Sequence, residues 1–138
     1  MTSTLLDTNI LLDVIENRPT WHDWAVAQMA ASARIGSLLL NQITYSEASV
    51  HYSEEATFRL ILDLPWVAKE DLPWDAGFRA GKAFLEYRKR GGPRDMILPD
   101  FFIGAHAAVK RHRVLTRDGA RFRTYFSEVE VIAPDTHP

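Results

Sequence analysis

The chain has 138 residues, 46% of them apolar and 25% charged, with 16 Lys and Arg against 18 Asp and Glu and no Cys. That length fits one domain, the apolar fraction excludes intrinsic disorder, and the lack of Cys excludes a disulfide scaffold and fits a reducing cytoplasm. A net charge of −2 argues against a binder that is basic all over, while leaving room for a local basic groove.

Thr4-Leu5-Leu6 reads as a short buried strand that ends at Asp7. Asn9 to Glu16 has helical spacing and stops at Asn17-Arg18-Pro19, and Trp21 to Ser32 is a second, Ala-rich helix. Ile35 to Leu40 is a continuous apolar run, read as a fully buried strand, followed by helices from Thr44 to Tyr52 and from Glu54 to Leu62. Trp66-Val67-Ala68 is a candidate short strand. Trp74 to Arg90 is the longest helical pattern, stopped by Gly91-Gly92-Pro93. Pro99 opens a helix over Asp100 to His112, Val114-Leu115-Thr116 is a strand, Asp118-Gly119 a turn, Arg121 to Phe126 a helical turn and Val129 to Ala133 a last strand. Strands alternating with helices predict a three-layer α/β/α domain over residues 1–138, with a central parallel sheet of four to five short strands. The N-terminal apolar stretch is broken by Asp7 and Asp13 and has no basic residue before it, and no apolar run approaches the roughly 18 residues that span a bilayer. The expectation is a soluble, cytoplasmic protein without a membrane partner.

In open α/β sheets, ligands gather beyond the carboxyl ends of the strands, where strand order reverses. Asp7 sits at the end of the first strand and Asp118 just past Val114-Leu115-Thr116. Asp100 lies at the start of a helix and Glu47 one turn into another, so four acids distant in sequence are expected at one rim. Two unit charges about 4 Å apart repel by roughly 4 kcal/mol at an effective dielectric of 20, so such a set needs protons or a cation. Oxygen ligands without Cys or His favour Mg²⁺, with Mn²⁺ as the alternative, over Zn²⁺.

Leu5-Leu6-Asp7-Thr8-Asn9, Ser46-Glu47-Ala48, Leu98-Pro99-Asp100-Phe101-Phe102-Ile103-Gly104-Ala105 and Leu115-Thr116-Arg117-Asp118 together resemble the PIN-domain ribonucleases, and the VapC-type toxins of toxin–antitoxin pairs in particular. The resemblance runs over nearly the whole chain. It implies Mg²⁺-dependent cleavage of RNA by a metal-activated water, leaving a 5′-phosphate and a 3′-hydroxyl. By position, Asp7 and Asp100 are the implied principal metal ligands and Glu47 and Asp118 the supporting pair. Asn9 and Thr116 match small polar positions that orient a carboxylate or a metal-bound water. The implied partners are an antitoxin and a second copy of the chain. His106 departs from the family pattern, which places a small residue there; two turns into its helix, it is expected to lie away from the metal.

Each feature also has a plainer reading. Asp7 can be a solvated strand end, Asp100 a helix-dipole acid, Glu47 an exposed helix glutamate and Asp118 a turn residue. Asp95, after the Gly-Gly-Pro loop, reads as a surface acid. The five histidines are scattered and read as surface or packing residues rather than a ligand set. Two groups, Arg79 to Arg94 and Lys110 to Arg123, hold 12 of the 16 basic residues. Arg117 and Arg121, nearest Asp118, are the candidate RNA contacts. Most of the aromatics, with Trp66, Trp74, Phe78, Phe84 and Tyr87 among them, are read as core, while Trp21 with Trp24 and Tyr45 with Tyr52, on helices with alternate polar neighbours, are the candidates for exposure; an exposed aromatic patch would mark a protein partner. A phospho-aspartyl enzyme is disfavoured because Asn9 stands where a second Asp is needed and Thr116-Arg117 offers no Lys. The remaining alternative is a PIN-like module that binds nucleic acid or protein without cutting.

Overall fold

The computed structural model of the chain describes residues 1–94 and 96–138, so the reading of Asp95 lies outside the described residues. The elements run β1 (Thr4–Leu6), α1 (Thr8–Ile15), α2 (His22–Ala33), β2 (Leu38–Leu40), α3 (Gln42–Ser49), α4 (Glu55–Leu62), β3 (Val67–Lys69), α5 (Trp74–Lys89), α6 (Pro99–Lys110), β4 (Arg113–Leu115), α7 (Ala120–Tyr125) and β5 (Val131–Ile132). The five strands form one sheet in the order β3-β2-β1-β4-β5. Every pairing is parallel. This is the α/β/α architecture expected from the alternation of strands and helices.

Side chains alternate across a strand, so neighbours serve opposite faces. Leu5, Leu39, Val114 and Val131 point into one core, built with Phe101, Ile103, Phe122 and Phe126 from the α6 and α7 region and with Ala76, Ala80 and Ala83 from α5. Leu6, Leu38, Leu40, Leu115 and Ile132 point into the other, with Ile10, Leu11, Met29, Phe58 and Leu62 from α1, α2 and α4. Both faces of the central strands are therefore covered, which explains the apolar runs of β1, β2 and β4, while the edge strand β3 stays largely exposed.

The strand expected over Ile35 to Leu40 is shorter than its apolar run. Ile35 is partly exposed at 44%. Gly36 passes so close to the N-terminal backbone that a Cβ there would lie 2.0 Å from the Thr2 carbonyl oxygen. α3 begins at Gln42 rather than Thr44 because Asn41 caps it, accepting from the Ile43 and Thr44 N–H groups at 2.9 and 3.2 Å. α6 begins at Pro99, a residue whose missing N–H loses nothing in the first turn. α5 ends as its sequence predicts. Gly91 takes φ +92°, and the Gly92 and Gly91 N–H groups return to the Tyr87 and Arg88 carbonyls.

The aromatics of α5 correct the core assignment. Trp74 and Phe78 are exposed, at 97% and 73%, and Trp66 is exposed at 43%. α5 instead turns Ala76, Ala80 and Ala83 inward, small residues that let it lie close against α6. Packing is equally tight where α6 meets the end of α7. A Cβ on Gly104 would sit 2.4 Å from the ring of Phe126, which is fully buried. Gly104→Ala is expected to lower stability by about 1–3 kcal/mol through overpacking, read as a lower urea midpoint at unchanged m-value.

Candidate active site

Strands β2 and β3 lie to one side of β1, and β4 and β5 to the other. The reversal of strand order therefore falls between β1 and β4, and the residues just after those two strands face the resulting crevice. After β1 comes Asp7, which caps α1: its Oδ1 accepts from the Thr8 N–H at 2.8 Å. Its Oδ2 accepts from the Thr116 hydroxyl at 2.8 Å, and Asn9 Nδ2 approaches the same oxygen at 3.4 Å. Thr116 is wholly buried behind the carboxylate, and its hydroxyl also accepts from the Asp118 N–H at 3.1 Å. One hydroxyl thus links the loop after β4 to the end of β1.

Glu47 arrives from α3, its Oε1 accepting from the Thr8 hydroxyl at 2.7 Å. Asp100 stands in the first turn of α6, where its Oδ2 accepts from Arg121 at 2.9 Å. The Arg121 guanidinium rests over the Tyr87 and Phe101 rings at 5.4 and 5.9 Å. Asp7, Asn9, Glu47, Asp100, Asp118 and Arg121 all line one cleft of about 400 Å³, joined by Thr8 and Arg18.

The Asp7 carboxyl is pushed up from 3.8 to about 6. Burial is the main cause. Bonds from Thr116 and the Thr8 N–H pull it down, while the charges of Asp100 and Glu47 push it further up. At neutral pH the cleft therefore holds a carboxylate that lacks compensating positive charge. A hard divalent cation held by carboxylate oxygens fits this donor set, in which no His or Cys takes part.

Arg117 is not brought to the cleft. Its Nε lies 2.7 Å from Oδ2 of Asp13, a fully buried residue of α1. The contact is ionic, with the N–H aimed too far off the oxygen for a hydrogen bond. Its guanidinium lies over Trp21 at 5.7 Å, and its backbone N–H donates to Asn9 Oδ1 at 3.3 Å. Arg18 completes the cluster, 3.8 Å from Asp13. Sequence reasoning did not single out Thr8, Arg18 or Asp13. Thr8 stands between Asp7 and Asn9 and was open to notice, whereas nothing in the sequence tied Asp13 to Arg117.

The histidines need a second correction. His22, His51 and His137 stand apart, but the Nε2 atoms of His106 and His112 lie 2.8 and 2.7 Å from the same oxygen of Glu70. The sequence separations of 36 and 42 residues hid this group. His106 does lie away from the acidic cleft.

The PIN domain family model matches residues 4–126. No curated protein matches the chain. Among solved structures, the chain is similar to VapBC2 from Rickettsia felis bound to a DNA fragment from their promoter, at 18% identity and TM-score 0.76 over 96% of this chain and 98% of that one. A toxin–antitoxin complex from Klebsiella pneumoniae aligns at 25% identity and TM-score 0.68, covering 95% and 97%. FitAcB from Neisseria gonorrhoeae aligns at 20% and 0.69, covering 98% and 99%. With the family model running from β1 through α7 and taking in all four acids that the sheet reversal draws into one cleft, the chain belongs to the PIN domain family.

Proposed function

We propose that the chain is a metal-dependent endoribonuclease, the VapC-type toxin of a toxin–antitoxin pair, acting in the cytoplasm as a single domain over residues 1–138. The observation that carries this reading is the convergence of Asp7, Glu47, Asp100 and Asp118 on one cleft with too little positive charge to balance them. PIN domains are typically nucleases, and structures similar to this one are toxin–antitoxin complexes.

Asp7 and Asp100 would hold a Mg²⁺ or Mn²⁺ ion, with Glu47 and Asp118 supporting it directly or through water. Such an ion, when bound, activates water for attack on a phosphodiester and offsets charge on the phosphate oxygens. The chain's own groups prepare the site. Thr116 and the Thr8 N–H fix both oxygens of Asp7, the Thr8 hydroxyl fixes Glu47, and Asn9 connects Asp7 to the backbone of Arg117. Arg121, a cation of the cleft lining, would meet a substrate phosphate there.

Two apolar surfaces suit the protein partners, an antitoxin and a second copy of the chain. One is a groove of about 440 Å³ lined by Val14, Val26, Met29, Ala30, Ala33 and Trp66. The other is the outer face of α5, with Trp74, Phe78 and Leu85.

The test is cleavage of total cellular RNA by protein freed of any copurified partner, in EDTA, Mg²⁺ and Mn²⁺. Cleavage that requires metal supports the reading. Tight RNA binding without cleavage in any metal would replace it with a binding module. Arg121→Ala is expected to weaken RNA binding and to reduce the slope of log affinity against log salt by about 1. Its stability should change by about 1 kcal/mol, because its ion pair with Asp100 is only partly buried. Fluorescence anisotropy across a salt series checks the first, and urea denaturation the second.

A further inference from the structure

Asn41 and Glu70 follow the ends of β2 and β3, and there they meet His106 from α6 and His112 from the turn into β4. Two imidazoles and a carboxylate are a donor set that zinc uses, and their ligand atoms all lie within 4.8 Å of one another. The proton arrangement argues against a metal. Asn41 Oδ1 is committed to the Ile43 and Thr44 N–H groups at the start of α3. Its amide nitrogen therefore faces His106 Nδ1, 3.0 Å away. Nδ1 must accept, so the single proton of the neutral ring sits on Nε2 and is donated to Glu70 at 2.8 Å. A metal on Nε2 would require the ring proton on Nδ1, where it would meet the Asn41 amide hydrogens. Protonation of His106 produces the same collision. Asn41 cannot flip to relieve it without abandoning the cap of α3.

We propose that Asn41, His106, Glu70 and His112 form a proton-sensitive brace, not a metal site, which sets the spacing of α3 and α6 and holds only while His106 is neutral with its proton on Nε2. α3 carries Glu47 and α6 carries Asp100, so the brace positions two of the four acids of the cleft. That those acids hold a metal rests on the function proposed above; the brace itself does not.

The charged and titratable groups acting on His106 are Glu70 from the end of β3, His112 from the turn into β4 and Lys110 from its own helix. Burial holds the His106 ring below its ordinary value, against the pull of Glu70. Burial alone would raise Glu70, but the bonds from His112 and His106 outweigh it and keep that carboxyl low. A histidine lowered on folding contributes stability above its unfolded value near 6.5, and loses it as the pH falls below that. The brace therefore opens in acid.

The experiment is ¹⁵N ring and amide NMR of the full chain from about pH 4 to about pH 8. Asp7→Asn serves as the parent, so that Asp7 does not titrate in the same window. The expected parent spectrum shows neutral His106 as the Nε2–H tautomer at pH 7, titrating below the ordinary histidine value. The Ile43 and Thr44 amides should follow that titration, and Zn²⁺ should leave both histidine rings unmoved. Adding Asn41→Asp keeps an oxygen cap on α3 but turns an acceptor toward Nδ1. His106 should then titrate higher by about one pH unit or more, with the same amides following, and the cluster should gain Zn²⁺ binding.

The Nδ1–H tautomer or an imidazolium at pH 7 in the parent overturns the proposal. So do amides of Ile43 and Thr44 that ignore the His106 titration, or Zn²⁺ shifts at both rings in the parent. If Asn41→Asp does not fold, the parent tautomer and its amide coupling decide alone. Failure of RNA cleavage leaves all of these resonances unchanged and counts only against the nuclease reading.

Discussion

Asp7→Asn is expected to abolish RNA cleavage while making the metal-free protein more stable at neutral pH. Both effects come from one carboxylate. The folded-state value of about 6 lies above the ordinary 3.8, so the folded chain holds this proton more tightly than the unfolded chain does. The stability gained from that proton is complete below about pH 4 and is lost as the pH rises through about 6. At pH 7.5 the ionised group therefore costs about 3 kcal/mol. Asn has the shape of Asp without the charge. Thr116 can accommodate its amide by turning its own proton toward the Asp118 carbonyl, already 3.3 Å away. The variant should melt roughly 10 °C higher than wild type at pH 7.5 without metal, with the gain vanishing near pH 4. Mg²⁺ should raise the melting temperature of wild type and leave the variant nearly unmoved. Cleavage should fall on the order of 10³-fold, several kcal/mol of lost charge stabilisation. Calorimetry at two pH values with and without Mg²⁺, beside a cleavage assay, checks all three. Wild-type cleavage rates in the variant would remove Asp7 from the chemistry, and equal melting points at pH 7.5 would deny the charge imbalance.

The second large effect is expected at a residue whose neighbours in sequence suggest a substrate contact. Arg117→Ala should destabilise the fold by about 3 kcal/mol, because it leaves the Asp13 carboxylate fully buried in α1 with only Arg18 at 3.8 Å. Removing both charges, as Asp13→Asn with Arg117→Ala, should recover part of that loss, since the uncompensated charge and not the missing attraction is the larger penalty. Urea denaturation of the single and double variants tests this. A single variant within about 0.5 kcal/mol of wild type would show that the pair does not hold α1 to the loop after β4.

These two predictions mark the boundary between local and tertiary information. Chain-local chemistry determined the strand ending at Asp7, the helix opened by Pro99, the stop at Gly91-Gly92-Pro93 and the alternation that makes a covered parallel sheet. Given that sheet, the ends of β1 and β4 had to share a rim, and Asp7 and Asp118 were legible as neighbours. Glu47 and Asp100 were legible through the motifs around them.

What the sequence could not decide was where side chains point when their partners lie far along the chain. Whether Arg117 enters the cleft or turns away depends on Asp13, more than a hundred residues earlier, and a buried carboxylate claims a nearby guanidinium more strongly than open solvent does. Trp74 and Phe78 look like core because large apolar side chains are usually buried, yet α5 turns Ala76, Ala80 and Ala83, with Phe84 and Tyr87 toward its end, to the core and leaves Trp74 and Phe78 on its outer face. Glu70, His106 and His112 were invisible as a group for the same reason. Each belongs to a different stretch of chain, and only the folded sheet, with α6 laid across it, brings two imidazoles to one carboxylate and lets the cap of α3 dictate which nitrogen carries the proton.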